Sequence, residues 1–258
     1  MTSYLRRVVR SLTTRAPLIC IGHSHTENIA AAAAALDVPI ACYNFWRYQN
    51  ILVRTGEAVD FTPEFRSQLA APVFSFVGGA VHHDIGLCAH PRPYDFVWPE
   101  RPDLPVSEGA ELIPYAGIHA AIRARVQQYF DIMAAIRAAV QGPVFHMESP
   151  PAYANEVAPN DPDWVMFHGE GQQIAPAWMR YKLWRVHSAI VAARCAETGI
   201  TFVPAPAEAL DAQGFLARPF HGTVAHANAE YGALVLRQML SLAGTDSVAK
   251  RVRRAISA

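Results

Sequence analysis

Ser24 stands where a strand-like segment passes into a helix-like one. Residues 17–22 form a short apolar run that ends at glycine, and residues 24–36 are rich in alanine. These patterns predict a strand followed by a helix. A serine in the first turn of a helix lies beside unpaired backbone N–H groups and the positive end of the helix dipole. Its hydroxyl could therefore attack an acyl carbon while its own N–H stabilises the oxyanion. The alternative is that Ser24 only caps the helix.

His226 stands just before the last predicted helix, which covers residues 227–242. If that helix begins at the same edge of the sheet as the helix after Ser24, the imidazole lies within reach of the Ser24 hydroxyl. It could then remove the hydroxyl proton as a general base. A lone histidine at such a place is more often structural. The combination with Ser24 makes it a candidate catalytic residue.

Several further histidines fall in segments that the same sheet edge would bring together, and Asp84 follows one pair of them. Neutral imidazoles that converge are the commonest protein ligands of transition metals such as zinc, iron, copper, nickel and manganese. Adjacent side chains tend to diverge, so no single pair predicts a metal site by itself. The alternative is that these histidines are ordinary polar residues of the edge. The candidate ligands are His23, His25, His82, His83 and His221.

Strand and helix signals alternate along the chain. This alternation is typical of an α/β fold in which helices cover both faces of a parallel sheet. Ligands of such folds bind beyond the carboxyl ends of the strands, where the strand order reverses. The segments after the first, third and fourth strands are therefore expected to share one edge. We expect strands at 17–22, 38–43, 73–77, 143–147 and 200–203, helices at 24–36, 118–140, 178–198 and 227–242, and irregular segments at 91–114 and 152–172.

The composition is that of a globular protein without a global charge. The 258 residues are 52% hydrophobic and 17% charged, and the 22 basic side chains are matched by 22 acidic ones. The balance offers no field that would attract nucleic acid. We expect one domain over residues 1–258, with peripheral basic segments at 1–15 and 243–258.

The cysteines and the apolar runs indicate the cellular compartment in which we expect the protein. The four cysteines form no CxxC pair and no dense framework, which fits reduced thiols. The N-terminus carries arginines without a continuous apolar stretch, and no segment offers about 18 uninterrupted apolar residues. We expect a cytoplasmic protein without a membrane span. The oligomeric state is not indicated.

Three blocks of the sequence resemble those of SGNH (GDSL-like) serine hydrolases, in the order that the family has them. Residues 21–26 resemble the block around the nucleophile, residues 76–83 resemble the G-x-N block, and residues 226–232 resemble the last block. The resemblance runs from about residue 17 to residue 242. It implies a flavodoxin-like, three-layer α/β/α fold with a five-stranded parallel sheet. It also implies that Ser24 is the nucleophile and His226 its base, with no cofactor required.

The same resemblance implies how the oxyanion and the substrate are held. The donors would be the backbone N–H groups of Ser24 and Gly79, with Gly78 beside them. Asn44 follows the second strand, near the place where the family often supplies a glycine, and its side-chain amide could donate instead. The substrate would be a small-molecule or carbohydrate ester, because many relatives act as esterases or deacetylases.

Three positions depart from the family pattern. His23 stands in place of the aspartate before the serine, Ala80 in place of the oxyanion asparagine, and Thr223 in place of the acid that orients the histidine. Loss of one oxyanion donor typically lowers the rate by about a hundred- to a thousandfold. Loss of an essential orienting acid lowers it by about ten-thousandfold.

Three functions follow from these observations. The first is a serine hydrolase with a degenerate triad that acts on a small ester. The second is a metal-dependent enzyme on the same scaffold, in which the candidate histidines hold a divalent transition metal. The third is a binding protein that keeps the crevice but has lost the chemistry.

Overall fold

The computed structural model describes residues 18–56, 58–69, 72–154, 162–222 and 226–244. The predicted basic segments lie outside these residues, apart from Ala243 and Gly244. Within the described ranges, no helix is both long and apolar enough to cross a membrane. All four cysteines are free thiols.

Strands and helices alternate through the described chain. The strands are β1 (Ile19–Gly22), β2 (Ala41–Asn44), β3 (Leu52–Thr55), β4 (Ala58–Phe61), β5 (Val73–Phe76), β6 (Tyr94–Asp95), β7 (Glu111–Leu112), β8 (Val144–Met147) and β9 (Thr201–Val203). The α-helices are α1 (His25–Ala35), α2 (Pro63–Arg66), α3 (His83–Gly86), α4 (Tyr115–Ala139), α5 (Pro162–His168), α6 (Ala177–Thr198) and α7 (Ala229–Leu242). Single 3-10 turns cover Gln49–Ile51, Ala207–Ala209 and Arg218–Phe220.

Five of the strands form one parallel sheet in the order β2-β1-β5-β8-β9. This is the strand order of flavodoxin-like folds, in which the second strand is added on one side of the first and all later strands are added on its other side. The order reverses between β1 and β5, so the segments that follow these two neighbouring strands leave the sheet in opposite directions. The predicted five-stranded parallel sheet is confirmed.

Helices cover both faces of the sheet because successive residues of a strand point to opposite sides. Ile19 and Ile21 pack into the core that contains α4 and α6. Leu18 and Cys20 pack into the core that contains α1 and α7. The predicted three-layer arrangement is therefore confirmed.

The two long helices on one face show why these predictions succeed. Helix α4 buries Ile118, Ile122, Val126 and Phe130, which recur every four residues and form one apolar stripe. Helix α6 ends at Gly199, whose φ of 68° places it in the left-handed region that glycine adopts without steric cost.

Several segments contain structure that the sequence analysis missed, among them the short helices α2 and α3 and the β6–β7 pair within residues 91–114. Residues 152–172 were expected to be irregular, and this was wrong for α5, which is anchored by the fully buried Trp164. The four consecutive apolar residues 164–167 form too short a run to show the periodicity that indicates a helix. The antiparallel β3–β4 hairpin was also missed, because β3 is largely exposed and lacks an apolar pattern.

An ion pair inside the protein fastens residues 91–114 to helix α6. Lys182 Nζ lies 2.6 Å from Asp95 Oδ1, and both side chains are almost fully buried. Lys182 also donates to the carbonyl groups of Phe96 and Pro105. Asp95 accepts from the N–H and the hydroxyl of Ser107. The pair thus gives fixed partners to a segment that has only two-residue strands of its own.

We predict that Lys182→Met lowers the free energy of unfolding by about 3–5 kcal/mol, because it leaves the Asp95 carboxylate buried without a counter-ion. Urea denaturation followed by circular dichroism measures this change. The control is Arg101→Met, which removes an exposed ion pair to Asp103 and is expected to leave the free energy of unfolding nearly unchanged. Equal small effects of both substitutions would contradict the prediction.

Candidate active site

Ser24 lies at the carboxyl end of β1, and its hydroxyl contacts His226. Ser24 Oγ and His226 Nε2 are 2.9 Å apart. Ser24 occupies the N-cap position of α1, yet its side chain makes no capping hydrogen bond. The hydroxyl is therefore directed to the imidazole and not to the helix, which is the arrangement that a nucleophile and its general base require.

The backbone around His226 is held by three hydrogen bonds. Tyr153 Oη donates to the carbonyl oxygen of His226, and the N–H of Gly222 donates to the same oxygen at 3.0 Å. Asn28 Nδ2 donates to the carbonyl of Ala227 at 2.5 Å. These contacts fix the chain at His226 through its backbone. Thr223, which stands where the orienting acid was expected, lies outside the described residues.

The site lies at the point where the strand order of the sheet reverses. Ser24 follows β1, and Gly78 and Gly79 follow the neighbouring strand β5. Gly78 has a φ of 72°, and a side chain there would meet the ring of Tyr129 at 2.9 Å. Among the described residues, neither the N–H of Ser24 nor that of Gly79 donates to a protein acceptor. Both N–H groups are thus available to a developing oxyanion.

Asn44 is buried, and both ends of its amide already have partners. Asn44 Nδ2 donates to Glu27 at 3.0 Å, and Asn44 Oδ1 accepts from the N–H of Trp46 at 2.9 Å. The nitrogen that was predicted to reach an oxyanion is thus directed to Glu27. Ala80, in place of the asparagine of the second block, has no side-chain donor. Neither side chain can therefore donate to an oxyanion, and backbone N–H groups remain as the candidate donors.

His23 is half-buried among aromatic rings. Its ring meets Phe45, Trp46 and Tyr129 edge-on, at centroid distances of 5.4, 5.7 and 5.2 Å. The N–H of Gly78 donates to His23 Nδ1 at 3.4 Å. Burial lowers the pKa of His23 to about 4, so the imidazole is neutral near pH 7.

A group of neutral histidines lies beside the Ser24–His226 pair. The ring of His25 lies 5.6 Å from that of His226, and Gly79 packs against His25 and Ser149. His82 Nδ1 and His187 Nδ1 are 3.3 Å apart. Burial is the main cause that lowers the pKa of His25 to about 3 and that of His187 to about 4, and it also lowers the pKa of His82.

The candidate metal ligands do not form one ligand set. The ring of His221 stacks on Tyr153 at 4.1 Å, and its Nε2 donates to the carbonyl of Leu216. His82 and His83 are adjacent, with ring centroids 4.1 Å apart. Within the described ranges, no group of three or more histidine, cysteine, aspartate or glutamate side chains is arranged to hold a metal ion. The metal hypothesis stays a prediction without a supporting cluster in these residues.

Sequence reasoning missed three residues of the site. Tyr153 belongs to a segment that was expected to be irregular, and Ser149 follows the fourth predicted strand. His187 continues the helical stripe of Trp178, Tyr181 and Trp184. A stripe with this spacing is what core packing alone would produce. A polar residue in such a stripe is the only signal that could have drawn attention to His187.

Comparisons with known proteins give distant structural similarities only. No family model matches the chain, and no curated protein sequence matches it. A Bacteroides fragilis protein assigned as an acylhydrolase is 9% identical over 95% of this chain and 97% of its own, with a TM-score of 0.46. A GDSL-like lipase from Bacteroides thetaiotaomicron is 10% identical over 96% and 98%, with a TM-score of 0.41. A carbohydrate acetylesterase from Sinorhizobium meliloti is 13% identical over 89% and 97%, with a TM-score of 0.39.

The buried histidines make the fold sensitive to acid. Unfolded histidine titrates near pH 6.5, whereas burial holds the pKa of His25 and His146 at about 3 and that of His187 at about 4. Below pH 6.5 the unfolded chain therefore binds more protons than the folded one. Their contribution to stability is complete above pH 6.5 and is lost as the pH falls toward 4 and then 3.

We predict that the free energy of unfolding falls between pH 7 and pH 5, because the unfolded chain binds protons on these histidines while the folded chain does not. Urea denaturation at both pH values measures the fall. His25→Leu is expected to reduce it, because one of the titrating groups is gone. A wild-type stability that is equal at pH 7 and pH 5 would rule the prediction out.

Proposed function

We propose that the protein is a serine hydrolase that cleaves a small-molecule or carbohydrate ester with Ser24 as nucleophile and His226 as general base. The observation that carries this proposal is the 2.9 Å contact between Ser24 Oγ and His226 Nε2. The free N–H groups beside it support the proposal, because they lie on the two turns of the switch point where α/β folds bind ligands.

The proposed reaction begins when His226 Nε2 accepts the proton of the Ser24 hydroxyl while Ser24 Oγ attacks the ester carbonyl carbon. The negative charge on the carbonyl oxygen is stabilised by the N–H groups of Ser24 and Gly79. The carbon–oxygen bond to the alcohol then breaks, and protonated His226 returns the proton to the leaving alcohol. Water, deprotonated by His226, hydrolyses the acyl-serine and regenerates the hydroxyl. None of these steps requires a cofactor.

The departures from the family pattern set the expected rate. Ala80 supplies no side-chain donor, so the oxyanion relies on two backbone N–H groups. Removal of one such donor typically lowers kcat by about a hundred- to a thousandfold. We therefore expect a hydrolase that is slow with simple activated esters and whose rate depends on how well the backbone fixes His226.

We predict that Ser24→Ala and His226→Ala each lower the turnover of p-nitrophenyl acetate at least about a hundredfold, and that a fluorophosphonate labels wild type but not Ser24→Ala. Turnover is measured by the absorbance of the released p-nitrophenolate, and labelling by intact-protein mass spectrometry. The matched control is Ser241→Ala, an exposed serine on α7, which is expected to keep wild-type labelling and turnover.

Labelling at a serine other than Ser24, or equal turnover by wild type and Ser24→Ala, would overturn the proposal. If a sugar or acyl ligand raised the melting temperature of a wild-type protein that neither labels nor turns over, a binding function would take its place.

We further predict that Tyr153→Phe lowers kcat by about tenfold and leaves KM nearly unchanged, because the hydroxyl holds the carbonyl of His226. The size follows from the loss of that hydrogen bond, about 1–1.5 kcal/mol, since the Gly222 N–H, which also donates to the hydroxyl, keeps the same carbonyl as its other acceptor. Tyr43→Phe is the control, because its Oη donates to Gln68 at the surface. Equal kinetics of the two variants would show that Tyr153 does not position His226.

A further inference from the structure

His23 directly precedes the candidate nucleophile, and among the described residues one of its ring nitrogens has no hydrogen-bond partner. We propose that His23 is a substrate-binding residue that donates a hydrogen bond from Nε2–H to a second oxygen of the substrate, close to the ester group. This inference rests on the proposed esterase function. It gives His23 a role in substrate recognition, in place of the metal-ligand role that its residue type first indicated.

The hydrogen bond from Gly78 fixes the tautomer of His23. A backbone N–H can only donate, so Nδ1, which receives it, is the unprotonated nitrogen of a neutral ring. Burial favours the neutral form and places the pKa at about 4. The single ring proton near pH 7 is therefore on Nε2, and His23 presents a donor at its other end.

The Nε2–H of His23 is open to a ligand. Among the described residues it donates to no acceptor, and the His23 side chain is only partly buried, whereas both ring nitrogens of His25 are buried and unpartnered. The ring is held in place by the edges of Phe45 and Tyr129, and Trp46 beside it is 67% exposed. His23 thus presents a rigid donor at the open side of the site.

The other side chains that the sequence offered as donors are unavailable for this role. Asn44 is directed to Glu27, Ala80 has no polar atom, and His25 lies out of reach of solvent. Among these candidates, only His23 combines a fixed proton with access from outside. Its position between the turns of Ser24 and Gly78 places it next to the reacting group.

The chemistry around His23 defines the class of group that it would recognise. A neutral donor requires an acceptor, so a carbonyl, ether or hydroxyl oxygen fits and an ammonium group does not. The exposed face of Trp46 favours an apolar or sugar-like surface on the same group. The substrate expected here is an uncharged ester that carries a second oxygen close to the ester carbon, on either its acyl or its alcohol side.

Two pairs of isosteric esters test this inference. On the acyl side, p-nitrophenyl methoxyacetate is compared with p-nitrophenyl butyrate, and on the alcohol side 2-methoxyethyl acetate is compared with butyl acetate. Within each pair only one oxygen replaces one methylene. The quantity measured is the ratio of kcat/KM for the two members, so the intrinsic reactivity of each ester cancels when variants are compared with wild type.

In His23→Phe the ratio is expected to fall about tenfold for at least one pair, because the ring remains but the donor is lost. His23→Asp is the second variant, because it keeps an acceptor for the N–H of Gly78 and loses the donor, and it should give the same fall. His23→Asn retains both an acceptor and a donor and should restore part of the ratio. The pair that responds identifies the side of the ester that His23 contacts.

The failures of the two proposals are distinguishable. If wild type shows Ser24-dependent turnover and both ratios are unchanged in His23→Phe and His23→Asp, the role of His23 is overturned and the esterase function stands. If wild type shows no Ser24-dependent turnover of any of these esters, the esterase function is overturned and the role of His23 falls with it.

Discussion

The hydrogen bond between Ser24 and His226 joins two residues that stand 202 positions apart in the chain, and it exists only because helices α1 and α7 pack closely. A side chain at Gly232 would come within 2.3 Å of the carbonyl oxygen of Asn28, so the absence of one permits the close approach. Asn28 in turn donates to the carbonyl of Ala227. The first turns of the two helices are thereby fastened to each other, and the residues just before them meet.

Burial of neutral histidines is the second constraint on the site. A charged imidazole is costly in a medium of low polarity, so burial keeps His25, His82 and His187 uncharged around the Ser24–His226 pair. The His226 carbonyl accepts hydrogen bonds from the Tyr153 hydroxyl and the Gly222 N–H, so the backbone of His226 is fixed by neutral groups.

Most of the fold could be predicted from the sequence because it depends on local patterns. The apolar runs before Gly22 and Gly78 indicated strands, and the four-residue spacing in residues 118–130 indicated α4, with boundaries that differ from the structure by a few residues. Helix α5 was not predictable in this way, since its apolar run of four residues is too short to show a helical period. The Asp95–Lys182 pair had no sequence signal, because its two residues lie far apart in the chain.

For the site, the sequence by itself determined the residue types and their order: a serine after the first strand, glycines after the third strand of the sheet, and a histidine before the last helix. Only the tertiary structure decided which of these groups touch. It directed Ser24 to His226, Asn44 to Glu27, and His221 to Tyr153. The physical reason is that hydrogen-bond direction, ring tautomer and burial depend on neighbours from distant parts of the chain, which spacing along the sequence does not specify.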